Sequence, residues 1–266
     1  MARRRRFNIA RAKRIVMAAS AFVLGLWSAL SGITAQTATQ SYIEFMLGYH
    51  PLKAGATAAV FASVVSVGCV VGWLLLRAAT LTLPSVTALW LALGATLGVL
   101  LLHRFSQRTG LVRRIGRGLV ILLCVFVIAE GTRTRFSGLP QLNWDWGYGA
   151  FAAGLAAGAA GQLLGLPTGV FLVPAAVFAL GMPPALGIVV ALLVAALASV
   201  IPTIGLILRN AGDRDVGPAM YLAGVASGVA GGWLLASRTT SQSTWPLAVF
   251  GVTAMLLTAW LAYKES

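Results

Sequence analysis

Two stretches of this 266-residue chain carry the same glycine and proline punctuation: Gly25, Gly32, Gly48, Pro51, Ser66 and Gly72 recur as Gly154, Gly161, Gly181, Pro184, Ser199 and Gly205. The first two pairs are 129 positions apart and the other four 133, which implies a four-residue insertion between the blocks. A third echo sets Gly94 and Gly98 against Gly224 and Gly228 at a separation of 130. A chain duplicated in this way is expected to fold as two related halves, and many membrane folds pair such halves around a central site.

Composition decides the medium. Hydrophobic residues make up 59% of the chain, charged residues only 10%, and the mean hydropathy is +0.88, whereas soluble domains are roughly 25% charged. The expected product is an integral membrane protein. A net charge of +14 would suggest nucleic acid for a soluble protein, but the basic residues fill the gaps between apolar segments and form no continuous face, so no nucleic-acid partner is expected. Cys69 and Cys124 both lie inside apolar runs and read as packing residues. Arg3 to Arg6, Arg11, Lys13 and Arg14 before the run from Ile15 resemble the start of a signal peptide. Cleavage there would remove Gly25 and Gly32 and leave the second repeat without its partner.

Long apolar segments run over 15–33, 54–76, 82–102, 185–208, 217–236 and 245–263, with shorter or glycine-rich ones at 111–130 and 147–165. Two weak segments, about 35–49 and 168–182, follow the first segment of each repeat. If they cross the bilayer, each repeat holds five segments, and the odd number forces the copies to be inverted. Lys and Arg accumulate in cytoplasmic loops. The ten-segment arrangement places 16 of the 20 basic residues inside and only Arg77, Arg133, Arg135 and Arg238 outside. Eight crossings with a cytoplasmic N-terminus would export the basic loop from Arg104 to Arg117. The reading is therefore an all-α polytopic membrane protein with two inverted repeats of about five helical segments, each with a short broken or half-helix after its first segment. Residues 1–14 form a basic cytoplasmic N-terminus, 15–130 the first repeat, 131–146 a connecting loop and 147–266 the second repeat. Both termini are expected to be cytoplasmic in a multi-pass protein of the cell (inner) membrane.

Chemistry is expected where the helices break. In the second repeat Pro167 and the glycines around it interrupt the helix between Leu166 and Gly169, freeing amides that can face an anion, with Thr168 as the one hydroxyl. Gly154 and Gly158, one face of the same run, read as helix-packing residues. In the first repeat Thr34, Gln36, Thr37, Thr39, Gln40 and Ser41 fall in the matching stretch, and Thr39 aligns with Thr168 at the 129-residue offset. Such a polar run at membrane depth is costly unless it lines a cavity or binds something; an exposed loop is the plainer alternative. Gln36, Thr37, Thr39, Gln162, Gly165, Thr168 and Gly169 are the candidate substrate-binding residues. For Gln162, a helix–helix hydrogen bond is an equal alternative. Glu44, the one acidic residue well inside a membrane segment, is a candidate proton carrier or gate partner, or a structural group near Lys53 and His50. His50 and His103 lack the acidic or cysteine company of a metal site, and no cofactor is expected. No catalytic triad, phosphate loop or carboxylate pair can be assembled, so an enzyme is not expected.

From Gly154 to Pro174, followed by LGMPPALG from Leu180 to Gly187, the chain resembles the TauE/SafE family of sulfite-exporting membrane proteins. Gly165, Leu166 and Gly169 fit that family's glycine-rich turn, Pro174 its proline, and Gly181 with Pro184 the next element. In the first repeat Leu47, Gly48 and Pro51 fit, and Ala54, Ala56 and Thr57 resemble its A-x-G-T-S segment. Pro167 and Thr168 replace two turn glycines, the first repeat lacks the triple glycine, and Ile188 and Val189 stand near the expected Thr-Ser. The resemblance implies export of sulfite or a related sulfur-containing organic anion, and the paired repeats make alternating access between them the expected mechanism. Partners are then the small anionic substrate, the lipid bilayer, a coupling proton or ion, and a second copy in a homo-oligomer. A drug/metabolite-type carrier of another small solute and a non-transporting membrane scaffold are the alternatives.

Overall fold

The computed structural model describes residues 2–77, 82–102, 110–132, 146–208, 217–238 and 243–264. Among these residues the chain is helical without strands. Ten helices follow one another: α1 (Ala2–Ser31), α2 (Gln36–Leu47), α3 (Pro51–Arg77), α4 (Thr82–Leu102), α5 (Gly110–Gly131), α6 (Trp146–Leu164), α7 (Gly169–Pro174, continued by a π-helical turn Ala175–Ala179), α8 (Pro184–Leu208), α9 (Gly217–Arg238) and α10 (Trp245–Lys264). The stretches Arg14–Ser31, Pro51–Leu76, Gly217–Arg238 and Trp245–Lys264 are long and apolar enough to cross a bilayer, and shorter apolar helical stretches occupy Val86–Leu102 and Pro184–Ala198. The molecule is a helical membrane protein. Most of the 131–146 loop lies outside the described residues, as do His103, Arg104, Arg108, Arg133, Arg135, Arg209 and Arg214, on which much of the charge-based orientation rests.

Glycines set which helices touch. A side chain at Gly72, Gly228 or Gly232 would overlap the backbone of the facing helix, at Val229, Val65 and Cys69 respectively, so α3 and α9 meet backbone to backbone. Gly94, Gly98, Gly154 and Gly158 bring α4 equally close to α6. Small residues let helices approach closely enough for dispersion to act without a hydrophobic drive from water. The register along each interface also fixes direction. Positions near Phe61, Val65 and Cys69 face Gly224, Gly228 and Gly232 in rising order, so α3 and α9 run the same way; α1 joins them, with Gly25 on Ser227 and Ala29 on Gly231. By the same test α4 and α6 are parallel, while α5 and α10 oppose each other, with Gly131 beside Ala248 and Gly251 beside Ile128 and Cys124.

The packing is reciprocal between halves. α3 rests on α9 and α8, and α8 on α4; α1 rests on α9 as α6 does on α4; α2 packs on α3 as α7 does on α8. Neither half is a compact body by itself.

Candidate functional site

The breaks after α1 and α6 have the same backbone form. Each first helix ends on a glycine with positive φ, Gly32 at 71° and Gly165 at 63°, and each short helix ends on another, Gly48 at 62° and Gly181 at 68°. These pairs are 133 positions apart in both cases. Gly32 therefore corresponds to Gly165, one helical turn beyond the Gly161 that the sequence comparison paired with it, and Gly25 corresponds to Gly158. No insertion separates the blocks. Gly154, Gly158, Gly161 and Gly165 offer nearly equivalent matches, so the glycine pattern alone does not fix the register. As a further consequence Thr39 is the counterpart of Leu172 and Thr168 that of Ala35, so the two threonines are not repeat mates.

The two ends are stabilised differently. After α1, the Ser28 hydroxyl donates to the Ile33 carbonyl at 2.7 Å, and the Ile33 N–H donates to the Ser31 hydroxyl at 3.3 Å. After α6, the Leu166 N–H closes the turn on the Gly161 carbonyl at 3.0 Å. Its last carbonyls are taken by arginines of α5: Arg117 Nε donates to Leu164 O at 2.9 Å, its Nη1 to Leu261 O of α10 at 3.1 Å, and Arg113 Nε to Leu163 O at 3.3 Å. Arg117 is only 3% exposed. The sequence reading counted these arginines only as orientation signals, because nothing local marks a cation that will cap a helix 47 residues away. Cations near a helix C-terminus are favoured by the dipole as well as by the open carbonyls.

The breaks touch. A side chain on Gly169 would lie 2.8 Å from the Gly32 carbonyl oxygen, and one on Gly32 would lie 2.9 Å from Val173. Around this contact the candidate residues are dispersed. Gly169 is buried in it; Thr168 is half-buried with its methyl against Gly161; Gly165 is exposed beneath Arg117; Gln162 is half-buried. The amides of Val170, Phe171 and Leu172 already donate to Pro167 and Thr168 carbonyls, leaving only those of Thr168 and Gly169 between the proline and the helix. In the first repeat Gln36 is exposed and Thr37 half-buried, whereas Thr39 is fully buried, and its hydroxyl is without a partner among the described residues. Glu44 is half-buried and accepts from Gln40 Nε2 at 2.9 Å; the same amide reaches Pro51 O at 3.5 Å. His50 turns its Nδ1 to the Leu52 N–H at the start of α3, 3.4 Å away.

Beside the first break, α1, α2 and α10 line an open cavity of about 530 Å³, with Trp27, Leu256 and Trp260 on its exposed rim. The equivalent place in the second repeat, between α6 and α7, is a groove of about 390 Å³. Its Ala157, Ala160, Phe171 and Ala175 are the counterparts of Leu24, Trp27, Ala38 and Tyr42 at the 133-residue separation. Gln36, Thr37, Thr39, Gln162 and Thr168 line neither space. No family model, curated protein or solved structure matches this chain.

Proposed function

We propose that the chain is a secondary transporter that exports a small anion by alternating access between two inverted halves. The carrying observation is the contact of Gly32 with Gly169, which joins two related helix breaks in the middle of reciprocally packed halves. Inversion is supported by helix direction. α1 and α3 run the same way, as required when α2 carries the chain back between them, and the repeat-related α5 and α10 are opposed. α2 has 12 residues, so it rises about 18 Å, short of the roughly 30 Å hydrocarbon core. Broken helices within a bilayer are tolerated where they face protein or a cavity. Gly32 and Gly165 supply the hinges: a residue already in the left-handed region without a Cβ can change φ and ψ at little cost.

Under this reading Thr39 offers its unpaired hydroxyl to cargo in the occluded state. Under the same reading Thr168 and the amides beside it contribute from the other repeat, and Gln36, Thr37 and Gln162 are further candidate contacts for the cargo. Glu44, hydrogen-bonded by Gln40, is the candidate proton carrier or gate partner. The resemblance to the TauE/SafE family makes sulfite or a sulfur-containing organic anion the first cargo to try. The test is efflux of labelled sulfite and of short sulfonates from liposomes holding the purified protein, with Thr39→Val/Thr168→Val as the site variant. Loss of most flux with unchanged folding is the expected result; full flux in the double variant removes these residues from the site, and no flux of any anion removes the transport reading.

A further inference from the structure

The cavity between α1, α2 and α10 is unlike a site for a bare oxyanion. Its volume of about 530 Å³ falls within the roughly 300–1,000 Å³ typical of organic ligands, whereas a water occupies about 30 Å³ of liquid and a four-atom anion a small multiple of that. Among the described residues no charged side chain lines it. Most of the wall is hydrocarbon and indole, supplied by Leu24, Trp27, Leu256 and Trp260 among others.

Six hydroxyl residues interrupt that wall, and four are already engaged. Ser28 and Ser31 donate to backbone carbonyls at the break, Tyr42 donates to Ser20 at 2.7 Å, and Thr253 donates to Val249 O at 2.7 Å. Thr34 and Ser41 make no hydrogen bond among the described residues. Thr34 stands just before α2, whose N-cap residue Ala35 also lines the cavity and provides no side-chain cap. Both are partly buried against an otherwise apolar wall, where a donor gains from an acceptor that enters with the occupant. The repeat-related groove is lined by alanines and Phe171 without any hydroxyl, so the donors are peculiar to the first copy and not a by-product of the fold.

We infer that this cavity binds a single-chain amphiphile with an anionic, hydrogen-bond-accepting head, which enters sideways between Trp27 and Trp260. The head meets Thr34 and the start of α2, Ser41 supplies a second contact, and the chain lies along the tryptophans. The inference rests on the transport reading only in making such an amphiphile the cargo.

The probe is 8-bromooctanesulfonate added to the full-length protein in phosphatidylcholine nanodiscs, read by bromine quenching of tryptophan fluorescence, with 1-bromooctane as the headless control. Saturable quenching is expected, largely lost in Trp27→Phe/Trp260→Phe. A tenfold or greater weakening is expected in Thr34→Val/Ser41→Ala, and affinity should fall when the chain is shortened to two carbons. Equal quenching by 1-bromooctane would mean a groove filled by lipid tails, and this result, or an unaltered affinity in the hydroxyl variant, overturns the inference. The flux measurement keeps the two readings apart. Saturable, hydroxyl-dependent binding in a protein that moves no anion upholds the cavity and ends the transport reading, while sulfite efflux without any such binding does the reverse.

Discussion

The Gly32 carbonyl oxygen and the Cα of Gly169 face each other so closely that a methyl on Gly169 would sit 2.8 Å from the oxygen. Each residue lies at the break of its own repeat. Alanine at Gly32 adds two penalties, a left-handed backbone at φ 71° and a clash 2.9 Å from Val173. Gly48 has the same backbone form at φ 62° with open space around it. Gly48→Ala should therefore cost about 1–2 kcal/mol from conformation alone, and Gly32→Ala distinctly more. Thermal unfolding of the two variants in the same detergent checks the order; equal losses would mean that the crossing contact contributes nothing.

Arg117 spans two helix ends, and its removal strands two carbonyls. An unsatisfied buried acceptor costs about 1–3 kcal/mol, so Arg117→Met should lower the unfolding temperature strongly. Arg117→Lys should rescue only part, because an ammonium on a flexible stem cannot reproduce the fork that reaches Leu164 and Leu261 together. Complete rescue by lysine would show that charge near the helix ends, and not geometry, is what matters.

The α3–α9 seam predicts opposite outcomes for two glycines. Gly72→Leu must part the helices, since even a methyl there overlaps Val229, and should abolish the folded protein. Gly118 on α5 has nothing within 4 Å, and Gly118→Ala should be neutral or stabilising by about 0.5–1 kcal/mol, the usual helix-interior difference. Size-exclusion profiles and melting curves distinguish the pair.

Thr39→Val replaces an unpaired buried hydroxyl by a methyl of similar size. The variant should melt at the same temperature or higher, since an orphaned polar group is removed, and under the proposed transport function it should also lose flux. A lower melting temperature would indicate that the hydroxyl is bonded within the protein.

Much of this architecture is legible in the sequence because membrane helices are written in long apolar runs, and the breaks in glycine and proline. The interruption at Pro167 falls where α6 gives way to α7, and the weak segments near 35–49 and 168–182 contain the short helices. Finer register was hidden. With glycine at 154, 158, 161 and 165, several alignments satisfy the same pattern, and only the positive φ values at Gly32 and Gly165 choose among them. Pro174, matched only through the family resemblance, does not end the helix, which continues beyond it by widening into a π-helical turn, since the missing N–H removes one ordinary hydrogen bond. Arg113, Arg117 and the Ser28–Ile33 bond were out of reach for a different reason. Their partners are backbone carbonyls, which leave no residue-specific mark in a sequence.

The seams between α3 and α9 and between α4 and α6 also govern biosynthesis. As the chain enters the bilayer, α3 is complete long before α9 exists, so the backbone face around Gly68 and Gly72 meets lipid while five further helices are made. The first half must wait as a loose set of segments. Truncation after α5, or a stall during synthesis of α8, should thus leave a membrane-inserted but unassembled product open to quality-control proteolysis, and the last two helices close the molecule as a whole.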